Sequence, residues 1–303
     1  MTDFSQNFLD NGFFNLGSII DTKKCHNLLK QVQETRSFGS ELFIDEEEHR
    51  KNPRWIRNNP GPGINLAEKC DLDFIEKNKL LQNVLTKVLG PGYKIKLKKF
   101  VVSVPEYWLP KWINKETKEQ MIANLGAYIK PEYKDMTYFR GIDFHQDTVG
   151  GEAGLKLPNF LTLYVYLDDV EIGMSPLVVI PKSHIFGATK FPHDIKINWN
   201  SDKCTYSDRK GNKAEFDYKF LTGKTGQTYF WSALTLHGTQ PTIIKKSRIS
   251  LRYLIERSSN EETFLIDKVY KKNSPLIIDT TRNDVDELGK PIKFGKVLKP
   301  NKK

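Results

Sequence analysis

The chain has 303 residues, a formal net charge of +10, 38% hydrophobic and 12% aromatic content, and three cysteines. That apolar content excludes a disordered chain, and no apolar run approaches the roughly 20 residues needed to span a bilayer. Cys25, Cys70 and Cys204 are too few and too scattered for a disulfide frame or a zinc cluster.

Six of the ten excess positive charges are lysines of the last stretch, KPIKFGKVLKPNKK. Such a basic tail is a solvated terminus more readily than a nucleic-acid surface, and the small remaining excess favours an anionic ligand. The first residues, MTDFSQNFLDNGFF, lack a basic segment followed by an apolar one, so the expectation is a cytoplasmic protein. The length fits one large body. Oligomeric state has no signature in the sequence.

In chain order, residues 4–36 predict a strand and then a helix. Asp21 or Thr22 caps the helix, and Cys25, Leu28, Leu29 and Val32 form its apolar stripe. Residues 37–70 are polar and rich in Pro and Gly, which predicts a long loop. A second helix is expected from about Asp73 to Leu89, stopped by Gly90-Pro91-Gly92. Short runs rich in β-branched and aromatic residues then recur at 94–104, 160–167, 176–180, 227–231 and 249–255, which predicts an all-β sandwich or barrel. The connection 105–144 carries Trp108, Trp112, Tyr128, Tyr133 and Tyr138 and is expected to be a lid or structured insertion. Residues 258–303 read as an extension packed on the outside. One domain over 1–303 results, with helical support from 1–93 and a β core over about 94–257.

His145 and Asp147 lie two apart in FRGIDFHQDTVGG. On an extended strand they share a face, so one strand end can present an imidazole and a carboxylate to one metal. Alone this pattern is commonplace. His237 follows the predicted strand QTYFW, and two imidazoles with one carboxylate are the facial donor set of non-haem Fe(II) oxygenases, with positions left open for cosubstrate and O2. Arg248 lies eleven residues further, with Ser250 on the same strand face. An Arg fork beside a hydroxyl suits a terminal carboxylate, which suggests 2-oxoglutarate. Arg252 has the same parity and competes for that role; both arginines could instead be solvated. Among the other histidines, His184 reads as structural. His193 is adjacent to an aspartate rather than two residues from it, His26 falls in a helix, and His49 follows three glutamates.

The segments FHQDTVGG, LTLYVYLDDVEIGMSPLVVIPKSHIFG, GKTGQTYFWSALTLHGTQP and SRISLRYLI together resemble the phytanoyl-CoA dioxygenase family of Fe(II)/2-oxoglutarate oxygenases, as does the opening FLDNGFFNLGSIID. The resemblance implies a double-stranded β-helix, or jelly roll, mainly β with flanking helices. It implies that His145, Asp147 and His237 bind iron and that Arg248 pairs with the far carboxylate of 2-oxoglutarate, helped by Ser250. Tyr164 falls where family members place an aromatic residue beside the cosubstrate, and Thr162 and Gln146 are further candidates for that pocket. The family's Pro-Gly-Ser-His reads Pro181-Lys182-Ser183-His184 here, and its Gly-Asp reads Gly226-Gln227; both are turn positions. A carboxylate at Asp147 implies hydroxylation, desaturation or oxidative cyclisation rather than halogenation.

For the substrate, Arg54, Trp55 and Arg57, together with Lys96, Lys98 and Lys99, could meet an anion, although the same residues could be a solvated face. A small anionic metabolite or natural-product precursor is expected. The alternatives are an acyl-CoA, a nucleic acid or protein modified on the same scaffold, or a β-barrel binding module without catalysis.

Overall fold

The computed structural model describes residues 4–53, 55, 60–148, 158–207, 211–259, 262–271, 277–292 and 298. The chain opens with helix α1 (Phe4–Asn11), then strand β1 (Phe13–Ser18), then α2 (Thr22–Glu34). The expected strand therefore begins later than the sequence suggested. Gly12 is the reason: at φ +69 it adopts the left-handed conformation that ends a helix, and a Cβ there would fall 2.3 Å from the His184 ring.

Helix α2 starts as expected, with the Asp21 side chain accepting from the Lys24 N–H at 2.8 Å. The 37–70 stretch contains a short helix, α3 (Glu46–Lys51), capped by Asp45. The single helix expected over 73–89 is two, α4 (Asp73–Glu76) and α5 (Lys79–Leu89). Asn78 separates them because its side chain caps α5, accepting from the Leu81 N–H.

The main sheet has ten strands. They are β1, β2 (Lys94–Ser103), β3 (Ile122–Asn124), β4 (Thr137–His145), β5 (Phe160–Tyr166), β6 (Leu177–Val179), and four later ones described below. A short β7 (Gly187–Ala188) and a separate three-stranded sheet follow, formed by β8 (Asp194–Asn198), β9 (Lys203–Ser207) and β10 (Lys213–Asp217). That small sheet was not among the expected elements; its strands mix exposed and buried positions. The main sheet is completed by β11 (Lys219–Leu221), β12 (Gln227–Ser232), β13 (His237–Thr239) and β14 (Arg248–Glu256), and helix α6 (Lys111–Thr117) lies in the 105–144 connection. Strand order is β1-β12-β5-β14-β2-β4-β13-β6-β11, with β3 on β4. This curled, mostly β body is the jelly-roll architecture expected.

Period-2 alternation sorts each strand's side chains onto two faces. Phe100 and Val102 on β2, Leu161, Leu163 and Val165 on β5, and Ile249, Leu251, Tyr253 and Ile255 on β14 join one cluster with the apolar stripes of α2 and α5. Their neighbours Val101, Tyr164, Tyr166, Tyr229 and Trp231 form a second cluster on the inner face of the curl. The functional side chains of β14 have the parity of this inner face.

Two expectations change. The 105–144 segment is not an overhanging lid throughout: Trp108, Ile113, Tyr128, Ile129, Met136 and Tyr138 are buried in the main core, and residues from Thr137 onward are strand β4. Its aromatic residues anchor it to the body. Arg36, just beyond α2, fixes the approach to β4 by a two-pronged ion pair with Asp135, both contacts 2.6 Å. The C-terminal extension is also not merely external. Its strand β15 (Ile277–Ile278) pairs with β7, and Leu298 is fully buried beside the metal-site strands.

Candidate metal centre

Strand β4 ends at His145 and β13 begins at His237, and the antiparallel register sets these two residues directly opposite each other. Their ring centroids lie 4.3 Å apart. Gly238 permits this pairing, since a Cβ there would meet the Ile142 carbonyl oxygen at 2.5 Å. Asp147 does not sit on the strand, as the sequence predicted, but in the turn just beyond it. Its N–H donates to the Ala233 carbonyl at 3.0 Å. Gln146 anchors that turn: its amide donates to the Gly187 and Leu234 carbonyls, both at 2.7 Å, and accepts from the Thr189 N–H.

The donor atoms of His145, Asp147 and His237 lie within 4.8 Å of one another. His237 Nε2 is 3.6 Å from Asp147 Oδ1, and both side chains are nearly buried, at 6% and 5% exposure. In each histidine Nδ1–H donates to a backbone carbonyl, Asp143 at 3.1 Å for His145 and Thr235 at 2.9 Å for His237. That tautomer leaves the Nε2 lone pair free for a metal. Burial, reinforced by the neighbouring His237, pushes the His145 pKa down to about 3, and burial lowers His237 as well. Burial alone would raise the Asp147 pKa, but Arg252 and then the two imidazoles override it and hold the carboxyl well below its usual range. Two neutral imidazoles and an ionised carboxylate are the donor set that Fe(II) takes in facial sites.

Asp147 is fixed from both sides. Its Oδ2 accepts from Thr162 Oγ1 at 2.6 Å and Trp231 Nε1 at 3.1 Å, and its Oδ1 accepts from Arg252 at 2.6 Å. Thr162, expected beside the cosubstrate, instead orients the metal carboxylate. The sequence had offered no role for Trp231.

Two cavities open onto this triad. The inner one, about 70 Å³, is lined by the triad, Tyr164, Leu177, Thr239 and Arg248. Arg248 is 3% exposed, and its Nη1 donates to Tyr164 Oη and Ser250 Oγ, both at 2.8 Å. Its Nε is buried without a hydrogen-bond partner, so a donor remains to be satisfied there. The outer chamber, about 600 Å³, shares His145, Asp147, Lys99, Arg252 and Phe139 and adds Trp55, Tyr128 and Arg282. Lys99 is 2% exposed, in register with Arg252 on β14. Burial and the nearby guanidinium push its ammonium pKa far down.

Of the expected substrate residues, Trp55 lines the chamber. Lys98 does not: alternation turns it to the helix side of β2, where it pairs with Glu76 at 2.9 Å. Lys99, one residue on, faces inward. Arg54 and Arg57 lie outside the described residues.

The profile of the phytanoyl-CoA dioxygenase (PhyH) family matches residues 8–250, four-fifths of the chain. The protein belongs to the PhyH family. It is accordingly an Fe(II)/2-oxoglutarate-dependent oxygenase, with Fe(II), 2-oxoglutarate and O2 as the family's reagents. The fold is shared with the non-haem α-ketoglutarate-dependent carbocyclase SnoK from nogalamycin biosynthesis, at 10% identity and a TM-score of 0.50 over 85% of this chain and 84% of that one. It is likewise shared with EvdO2 from Micromonospora carbonacea var. aurantiaca, at 14% identity and a TM-score of 0.51 over 86% and 94%. No curated protein matches in sequence. Among the described residues, no helix is long and apolar enough to cross a membrane.

Proposed function

We propose that this PhyH-family oxygenase oxidises an unactivated C–H bond of a small anionic metabolite or natural-product precursor, releasing succinate and CO2. One observation carries the reading: two cavities of different size meet at one His-Asp-His triad, sharing His145 and Asp147. The inner pocket has room for a small diacid, and the outer chamber has room for a second molecule.

His145, Asp147 and His237 would hold the iron. Bound iron, with 2-oxoglutarate and O2, supplies the oxidising power. Arg248 would hold the far carboxylate of 2-oxoglutarate, with Tyr164 and Ser250 fixing the guanidinium beforehand so that little ordering remains on binding. Thr162 and Trp231 keep Asp147 in a single rotamer. Phe139, Ile142 and Leu177 exclude water from the inner pocket.

Arg252, a guanidinium beside the Asp147 carboxylate, and the neighbouring Lys99 amine give the boundary between the cavities donors that favour an anionic substrate. Asp147, a carboxylate at the position that halogenating relatives leave open, supports hydroxylation, desaturation or cyclisation. The three free cysteines suit a cytoplasmic setting.

The test is anaerobic titration with Fe(II) and 2-oxoglutarate, following the visible metal-to-ligand band. The band should form in the wild type and vanish in His145→Ala. Succinate release against carboxylates, amino acids, phosphonates and acyl-CoAs then identifies the substrate. Failure of the band to form in the wild type would remove the assignment.

A further inference from the structure

We propose that segment 279–292 is the specificity wall of the outer chamber: with Trp55 it seats the apolar body of an anionic substrate and limits its size. The inference rests on reading that chamber as the substrate's.

Backbone pairing ties the segment to the loop that holds the metal turn. The Asp279 N–H donates to the Ala188 carbonyl at 2.9 Å, the Phe191 N–H to Thr281 at 2.9 Å, and the Asn283 N–H to Phe191 at 3.0 Å. The same loop supplies the Gly187 carbonyl and Thr189 N–H that clamp Gln146, the residue between two metal ligands. Beyond Asn283 the chain doubles back on itself. Val285 bridges to Pro291, the Ile292 N–H donates to Asp284 at 2.8 Å, and the Asp286 N–H donates to Lys290 at 2.9 Å. This closed hairpin rests on Trp55, with Lys290 Nζ 5.7 Å over the indole. A segment bonded at its start, along its length and at its tip is a fixed wall, not a swinging lid.

The charges of wall and floor differ. Arg282 on the wall is matched by Asp284, which accepts from Nε and Nη2 on one guanidinium edge and is 2% exposed. Arg282, the charged side chain with which the wall lines the chamber, is therefore charge-paired, and the wall's other lining residues are Val285, Gly289 and Pro291. The floor holds Lys99 and Arg252 beside Asp147. An acid group thus has its place on the floor, close to the metal, and a hydrocarbon or aromatic body has its place against Val285, Pro291, Trp55 and Tyr128.

The hairpin supplies its own control, because Val285 lines the chamber while Leu288 at the tip is 82% exposed. The experiment titrates the Fe(II)/2-oxoglutarate-loaded protein with the anionic aromatic dye anilinonaphthalene sulfonate and with its neutral parent, phenylnaphthylamine. The wild type should bind one equivalent of the anionic dye, about tenfold tighter than the neutral one. Val285→Trp should weaken it about tenfold by filling the chamber, and Leu288→Trp should leave it within about twofold. Val285→Ala, which cannot overpack, should shift succinate release within a homologous series of carboxylic acids toward bulkier members. The visible 2-oxoglutarate band should persist in all three variants, which shows that each is folded and loaded. Equal dye binding by wild type and Val285→Trp, no dye binding by the wild type, or equal affinity for the two dyes would overturn the wall or its charge division. Loss of the band in the wild type would instead sink the proposed function.

Discussion

The two cavities at the metal are built in different ways. The inner pocket is lined from strand register: Arg248, Tyr164, Leu177 and Thr239 occupy inward-facing positions of four strands, and their hydrogen bonds are complete except for one guanidinium N–H. The outer chamber combines sheet positions on β2, β3, β4 and β14 with a loop at Trp55, the turn at Ala127 and Tyr128, and the C-terminal hairpin. The small pocket can therefore be held constant by the fold, while the large one can be rebuilt by changing connections that carry little of the core. The proposed cosubstrate pocket sits on strands, and the proposed substrate chamber draws also on loops.

The sharpest break in that comparison comes from the shared boundary. His237→Ala should lower succinate formation about a thousandfold or more whichever small molecule occupies the chamber. A variant that kept its turnover would show that the cavities do not meet at a metal. Next, Arg248→Met should weaken 2-oxoglutarate by about a hundredfold, because it removes a buried charged donor built for a carboxylate. Substrate affinity, measured under saturating 2-oxoglutarate, should stay within about threefold; equal losses for both molecules would merge the two cavities into one.

Thr162→Val should reduce Fe(II) affinity by about tenfold, since it removes the shorter of the two hydrogen bonds that hold Asp147 Oδ2. Competition with a metal-binding dye measures that.

The pH response probes the boundary without any ligand. Between pH 6.5 and about 3 the unfolded chain takes up a proton at residue 145 that the folded chain refuses. His237 acts in the same direction, and Asp147 adds to it at lower pH. Stability of the metal-free protein should therefore fall as pH is lowered through this window, by at most about 1.4 kcal/mol per unit per buried histidine. Urea midpoints at successive pH values give the slope, which His145→Gln should flatten. A slope unchanged by that substitution would place the lost protons elsewhere.

The smallest effect separates neighbours on one strand. Lys98→Met should leave turnover unchanged and cost at most about 1 kcal/mol of stability, because its pairing with Glu76 is partly solvated. Lys99→Met should weaken anionic substrates while leaving stability no worse, because it removes a charge that burial disfavours.

Legibility in the sequence followed the same division. His145, His237, Arg248, Ser250 and Tyr164 were readable because strand alternation and a fixed spacing carry them, and the register of β4 and β13 turns that spacing into contact. Asp147 was readable by type but not by place, since the strand stops before it and the turn is held by Gln146, whose anchoring carbonyls are remote in the chain. Thr162 drew the wrong role because its partner is fixed by cross-strand geometry. Lys98 and Lys99 could not be told apart while the exposed and buried faces of β2 were unknown. Of the two expectations for 105–144, lid or structured insertion, the second describes the segment better, because aromatic density marks a core anchor as readily as a binding surface, while Ile122, Asn124 and Tyr128 still reach the chamber. The C-terminal hairpin carried no readable signal: its apolar residues follow no strand or helix period, and its position comes from the pairing of the preceding residues with β7 and Phe191.

Leu298 lies fully buried against Gly238, and its N–H donates to Asp143, two residues before the first iron ligand. During translation that leucine emerges long after every ligand has left the ribosome, and domains fold from the N-terminus onward. The backing of the candidate iron site is then finished by a piece of polypeptide made well after its last proposed ligand, His237. A nascent chain stalled between the two would display the His-Asp-His triad on strands still lacking their support, so iron loading belongs after Leu298 has emerged, and loss of the Leu298 contact would be felt at the oxidising centre rather than at the surface.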